Sequence, residues 1–208
     1  MKATIASLIF LLLSLAVSSQ TYKYIGIEEG LSNQKIYRIQ KDARGYMWFL
    51  THVGIDRYNG KEIKHYKLKE GDRELDPLLN INWTYLDKTG TLLVTGKQGR
   101  IFRYDSGHDR FVQIYSMYNY WNKDYHAFVR FSYIDQESNV WLCDKSAIHL
   151  FNIESGQKQR ISNRLGNITC IEQINSEHFF IGTDKRIYLV KLENGNLKEL
   201  SCGKLGMM

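Results

Sequence analysis

Proline occurs once in 208 residues and cysteine three times. One proline excludes proline-rich linkers and collagen-like structure, and no polar low-complexity tract is visible. Cys143, Cys170 and Cys202 form no CxxC pair and have no histidine at zinc-finger spacing. Three thiols cannot all pair internally in an exported chain. Cys143 lies in an apolar run and reads as a small buried hydrophobe, while a Cys143–Cys170 bridge has no support from spacing. An amphipathic helix is also missing, since Lys69 to Asp76 is short and polar all round. The formal charge of +6 is modest and spread along the chain, which fits a weak preference for anionic partners better than a dedicated nucleic-acid surface, and no nucleic-acid partner is expected. A hydrophobic fraction of 43% is ample for a core, in one domain or two small ones.

The N-terminus is different in kind. Lys2 precedes a largely apolar stretch from Ile5 to Val17, and Val17-Ser18-Ser19 supplies a small-residue exit. This is the pattern of a secretory signal peptide over residues 1–19. The run is too short for a membrane helix, which needs about 20 residues. The remaining chain, 20–208, is expected to be exported or periplasmic.

That remainder repeats itself. The segment from Ile36 to Trp48 recurs in character at Tyr85 to Leu93 and at Phe131 to Trp141, with a fainter copy from Ile168 through Phe180 to Tyr188. Asp42, Asp87 and Asp135 each stand six residues before Trp48, Leu93 and Trp141. Each unit then runs into a second short strand ending in an aromatic: Arg57-Tyr58, Arg103-Tyr104, Leu150-Phe151. The anchors Trp48, Leu93, Trp141 and Phe180 are 45, 48 and 39 residues apart, the period of a propeller blade.

Local chemistry accounts for the pattern. Ile36 to Gln40 alternates as a half-buried strand does. Asp42 to Gly45, Asp87 to Gly90 and Asp135 to Asn139 are hairpin turns, because Asp, Asn and Gly tolerate left-handed backbone. Met47 to Leu50 is the returning strand, Gly54 and Gly99 make the next turn, and Asn59-Gly60 and Ser106-Gly107 end the third strand. Irregular outer strands follow at Glu62–Leu68, Phe111–Tyr115, Gln157–Ile161 and Leu197–Leu200. The expected fold class is all-β: an incomplete β-propeller of about four four-stranded blades, near 34–68, 79–115, 129–161 and 167–200. Tyr22 to Ile27 is expected to be the strand that would close the full ring, its partner missing with only four blades, and open ends are favoured over a tight four-bladed ring.

The first unit resembles the two-component regulator propeller repeat. Gly30-Leu31-Ser32, Ile36, Ile39, Asp42, Gly45, Trp48, Thr51, Gly54, Ile55, Arg57, Tyr58, Asn59 and Gly60 carry the likeness, as in the periplasmic sensor region of hybrid two-component systems from glycan-degrading bacteria. Leu50 stands where the family usually has Gly, Leu93 where it has Trp, and Asp144 where it has Thr. The resemblance implies two seven-bladed propellers, a β-sandwich, a membrane helix, a histidine kinase and a DNA-binding response regulator. Only about four blades are expected in this chain, so it reads as the front part of a sensor.

Motifs for catalysis are wanting. Gly90 and Gly96-Lys97 lack the spacing and the Ser/Thr of a phosphate loop, and there is no GxSxG elbow. The six histidines show no metal-ligand spacing. Glu70, Asp72, Glu74 and Asp76 do not follow a calcium-loop pattern and read as a solvated loop. No catalytic residue, metal or cofactor is assigned, and the chain is not expected to be an enzyme.

One stretch stands apart: Tyr115 to Phe128 packs six aromatics into fourteen residues. They either wedge two blades together or form a loop on one propeller face. As a loop, Tyr118, Tyr120, Trp121 and Asn122 would meet the faces and hydroxyls of a sugar, with Lys123 and Arg130 for an acidic one. Asp42, Gly45, Trp48, Gly54, Tyr58, Asp87, Gly90, Tyr104, Asp135, Trp141 and Phe151 read as structural repeat positions, as do Arg57 and Arg103. The functional expectation is a non-catalytic, glycan-responsive sensory module. Its partners would be an oligosaccharide, the remaining blades or the rest of a sensor kinase, or a second copy through open blade edges. A protein-interaction scaffold is the alternative, and a propeller lyase or glycosidase a lesser one.

Overall fold

The computed structural model describes residues 22–119 and 128–204. The expected signal peptide lies outside them. Four antiparallel sheets follow one another, each with its strands in sequence order. Blade 1 is β1 (Ile36–Lys41), β2 (Met47–Thr51), β3 (Ile55–Tyr58) and β4 (Ile63–Tyr66). A short hairpin, β5 (Lys69–Glu70) with β6 (Arg73–Glu74), and a one-turn helix α1 (Pro77–Asn80) lead to blade 2. Blade 2 is β7 (Trp83–Leu86), β8 (Leu92–Thr95), β9 (Arg100–Asp105) and β10 (Arg110–Ser116). Blade 3 is β11 (Phe131–Ile134), β12 (Asn139–Cys143), β13 (Ala147–Asn152) and β14 (Lys158–Ser162). Blade 4 is β15 (Ile168–Gln173), β16 (His178–Thr183), β17 (Arg186–Glu193) and β18 (Asn196–Lys204). The fold is an all-β set of four propeller blades.

The first hairpin of each blade is built alike. Asp42 Oδ1 accepts from the Arg44 and Tyr46 amides, and Asp87 Oδ1 from those of Thr89 and Thr91. Asp135 Oδ1 accepts from the Asn139 amide. Three residues after each aspartate the backbone is left-handed, with φ of 86° at Gly45, 74° at Gly90 and 68° at Ser138. Glycine takes that conformation freely, whereas Ser138 bears a cost that its hydroxyl bond to Glu154 helps to offset.

The second strand of each blade carries the packing. Trp48 and Trp141 are fully buried, and each indole Nε1 donates to the carboxylate six residues earlier at 2.8 Å. Leu93 holds the same place in blade 2 and is equally buried. Among the described residues the core is therefore three clusters between consecutive blades. Trp48, Leu50 and Ile55 meet Leu92, Val94 and Phe102. Trp83, Ile101 and Tyr115 meet Val140 and Leu142. Trp141 and Ile148 meet Phe179 and Ile181.

Blade 4 breaks the series. Its first hairpin closes with the Ile174 amide on the His178 carbonyl, as Asp42 closes on Tyr46, so Phe180 is the counterpart of Trp48. Phe180 is 46% exposed, where Trp48, Leu93 and Trp141 show nothing to solvent. Ile187, paired with Gly182 on the same face, is 44% exposed. Among the described residues no cluster joins blade 4 to blade 1, so the four blades form an open arc. This agrees with the open reading of the repeat.

Several local expectations are corrected. Tyr22 to Ile27 is not a strand: the segment turns at 27–30, and Leu31 hydrogen-bonds back to Gly26. It lies on the outer face of blade 1, where Ser32 donates its amide and hydroxyl to buried Asp56 and Lys23 reaches Tyr58. Among the described residues no neighbouring strand pairs with it. The acidic stretch 70–76 is structured rather than merely solvated, since Asp76 caps α1 through the Leu78 amide. The outer strand of blade 4, expected to be irregular, is the longest among the described residues at nine, with one bulge opposite Leu189/Val190. His149, on β13, is fully buried beside Asp144. All three cysteines are free, and burial pushes the Cys143 thiol far above its ordinary range.

Candidate functional site

The two described ends of the aromatic segment are held on one turn, β8–β9. The β8–β9 turn, 96–99, is wedged between α1 and the 3-10 turn Met117–Asn119. A Cβ on Gly96 would fall 2.3 Å from Asn80 Cα, and one on Gly99 would fall 2.1 Å from Met117 Sδ. Those approaches, not phosphate binding, are why glycine recurs there. The segment leaves with the Met117 amide on the Gly99 carbonyl and returns with the Val129 amide on that of Lys97.

Beneath it lies Arg100, only 7% exposed. Its guanidinium donates to Gln98 Oε1 at 2.5 Å and to Asn80 Oδ1 at 3.3 Å, and pairs with Glu70 at 3.3 Å. It also sits 5.2 Å from the centre of the Tyr118 ring, a cation–π arrangement. At the other anchor Lys97 stands 5.6 Å from the ring of Phe128, which is half exposed. Each described end of the segment thus rests an aromatic against a cation.

Of the sequence-derived contact residues, Tyr118 is half-buried on Arg100, and Arg130 is exposed with its amide on the Cys143 carbonyl. Tyr120, Trp121, Asn122 and Lys123 lie outside the described residues. Arg100, Asn80 and Glu70 escaped sequence reasoning. The one usable signal was Asp76-Pro77, a helix start that orders the connection carrying Glu70 and Asn80.

A second polar centre lies between blades 1 and 2. Asp109, in the β9–β10 turn at φ 49°, accepts at Oδ1 from Arg57 (2.9 Å), Tyr66 (2.6 Å) and Tyr104 (2.5 Å), and Lys64 pairs with its other oxygen. Burial opposes the charge on Asp109, but Lys64, the two phenols and Arg57 outweigh it and hold the carboxyl far below its usual range. Burial and the bond to Asp109 push the Tyr66 and Tyr104 phenols upward. Arg57 is boxed by Tyr46 (4.6 Å), Trp48, Tyr66 and Tyr104. This carboxylate stays ionised and these phenols stay protonated at neutral pH, so the centre braces blade 1 against the β9–β10 turn of blade 2. Among the described residues no three His, Cys, Asp or Glu side chains gather as metal ligands.

Residues 30–52 match the family model of the two component regulator propeller. The match spans the entry to β1, the Asp42 hairpin and Trp48. The first half of blade 1 is thus similar to a regulator propeller repeat. The four blades are similar in fold to two B. thetaiotaomicron structures. One is described as the extracellular domain of the hybrid two component system BT3049, at a TM-score of 0.65 and 18% identity, with 86% of this chain covered. The other is the corresponding domain of BT4673, at 0.59 and 19%, with 85% covered. The chain spans about a quarter of each, 26% and 25%. No curated protein matches it. The regulator propeller repeat thus accounts for the Asp–Trp pair of blade 1, and blade 3 repeats that pair beyond the matched residues.

Proposed function

We propose that this chain is a non-catalytic, extracytoplasmic ligand-binding part of a hybrid two-component sensor, responsive to glycans. The observation that carries the reading is that the regulator propeller match falls on blade 1 of a fold shared with extracellular domains so described. No helix among the described residues is long and apolar enough to cross a membrane, which suits an exported module behind a signal peptide. The aromatic segment, with Tyr118 braced on Arg100, is the proposed contact surface for a saccharide, and Tyr120, Trp121, Asn122, Lys123 and Arg130 are its remaining members. Ligand binding would bias two arrangements of the periplasmic domains and so alter the output of a kinase. The bare face at Phe180 and Ile187 supports a further blade packing there, with this chain the front of a longer ring.

The test is a titration of the purified chain with neutral and acidic oligosaccharides, followed by tryptophan fluorescence and thermal melting. A saccharide that raises the melting temperature, does so less in Trp121→Ala, and is recovered uncleaved is the expected result. No response to any saccharide, or the release of new reducing ends, overturns the reading.

A second reading, a protein-interaction scaffold or self-associating arc, is favoured by the same bare face of blade 4. Self-association lost in Phe180→Glu, in a chain that ignores saccharides, would select it.

A further inference from the structure

The outer strands of blades 1 and 2, β4 and β10, flank a groove of 620 Å³ that β5 borders. Lys64, Lys67, Lys69 and Arg110 line it, against the two carboxylates Glu70 and Asp109. Both carboxylates are already neutralised from behind. Asp109 is held by Arg57 as well as Lys64, and Glu70 by Arg73 and Arg100, three arginines that do not line the groove. Lys67 pairs with Glu74. Lys69 and Arg110, both exposed, enter no ion pair among the described residues, although each stands opposite an acid in its own sheet, Glu74 and Asp105. The groove's own lining sets four cations against the two carboxylates Glu70 and Asp109 and is net positive.

The rest of the lining is not what a bare phosphate needs. Gln113 Oε1 is buried without a donor among the described residues, and Glu70 adds a carboxylate acceptor. Phe111, packed on Trp48 at 5.6 Å, contributes a half-buried apolar wall. Acceptors and an apolar wall suit hydroxyls and a sugar ring, and the free cations suit an acid group. Glu70 also pairs with Arg100, beneath Tyr118, so one end of the groove reaches the base of the aromatic segment.

We infer that this groove binds an acidic oligosaccharide, carrying carboxylate or sulfate groups, with Lys69 and Arg110 meeting the charge and Glu70 accepting from hydroxyls. The inference rests on the glycan reading above and adds the ligand class and a second surface for it.

Calorimetry on the full chain tests it, with oligogalacturonate, a sulfated chondroitin oligosaccharide and neutral xylo-oligosaccharides as probes. Lys69→Glu combined with Arg110→Glu is the variant, and its melting temperature shows that it folds. The expected result is that an acidic probe binds, more weakly at high salt, and that the double variant binds it roughly ten-fold less tightly with any neutral binding unchanged. The acidic probe that binds tells carboxylate from sulfate. Unchanged acidic affinity in the variant overturns the inference and leaves the glycan reading standing, as does binding of neutral probes alone. Silence with every probe overturns both. Equal competition by a DNA duplex overturns it in favour of a general polyanion surface.

Discussion

Arg103 reaches Asp87 at 2.6 Å, on the oxygen that in blades 1 and 3 accepts from a tryptophan indole. Blade 2 has Leu93 instead of that tryptophan and no ring nitrogen to offer. The ion pair keeps the hairpin carboxylate charged and countered, though its angle is not that of an aligned hydrogen bond. A departure from the repeat at one position is thus met by a different side chain from the next strand.

Removing Arg103 tests that substitution of one partner for another. Burial would raise the Asp87 pKa, but Thr89, Thr91 and Arg103 overcome it and hold the carboxyl below its usual range. A carboxyl depressed in the folded state adds stability above its unfolded pKa of about 4, and loses it as pH falls through the folded value. Arg103→Ala should cost about 1 kcal/mol at neutral pH, the half-exposed arginine being screened. It should also flatten the loss of stability between about pH 4 and pH 2. Urea melts across that range decide it, and an unchanged acid slope refutes the role.

The two indole bonds should not be equal. Asp42 Oδ2 accepts from Trp48, while Asp135 Oδ2 also accepts from Asn139 Nδ2 at 2.9 Å. Trp48→Phe should therefore cost more than Trp141→Phe, by about 1 kcal/mol, because only the first leaves a buried carboxylate oxygen short of its donor. Chemical denaturation of both variants gives the comparison, and equal losses would mean that ring volume alone matters.

The Asp109 centre should make the protein alkali-sensitive. Tyr66 and Tyr104 have raised folded pKa values, so their neutral forms favour the fold fully below about pH 10. Stability should fall as pH rises above that, because the unfolded phenols release protons that the folded ones retain. Tyr66→Phe should lower neutral stability by about 1 kcal/mol and shallow the alkaline slope. A slope unchanged in that variant would place the alkaline transition elsewhere.

Phe180 and Trp141 occupy equivalent places with opposite surroundings. Trp141→Ala should cost about 3–5 kcal/mol, as for a large side chain lost from a core. Phe180→Glu in this chain should change stability by no more than about 0.5 kcal/mol. A loss above 2 kcal/mol for Phe180→Glu would show that its face is covered in solution.

The hairpins, the strand alternation, the Asp-to-Trp spacing and the four-fold repetition are all legible in the amino-acid order. They depend on residues within a few positions of one another: Asp42 bonds Arg44, Tyr46 and Trp48. The aromatic segment was legible as a cluster, but not its seat on Arg100, which draws on Asn80 twenty residues away and Glu70 thirty away. Arg57 meets Asp109 across 52 positions, which no local pattern signals.

Burial was decided by the tertiary structure alone. Trp48, Leu93, Trp141 and Phe180 share one place in the repeat, yet three are sealed and one faces solvent. The difference lies in what stands opposite. Turn geometry is settled by the backbone preferences of adjacent residues, and so the sequence by itself determined the blades. Exposure depends on the next sheet, and so only the assembled arc decided which apolar face stays open and where a charged groove runs between β4 and β10.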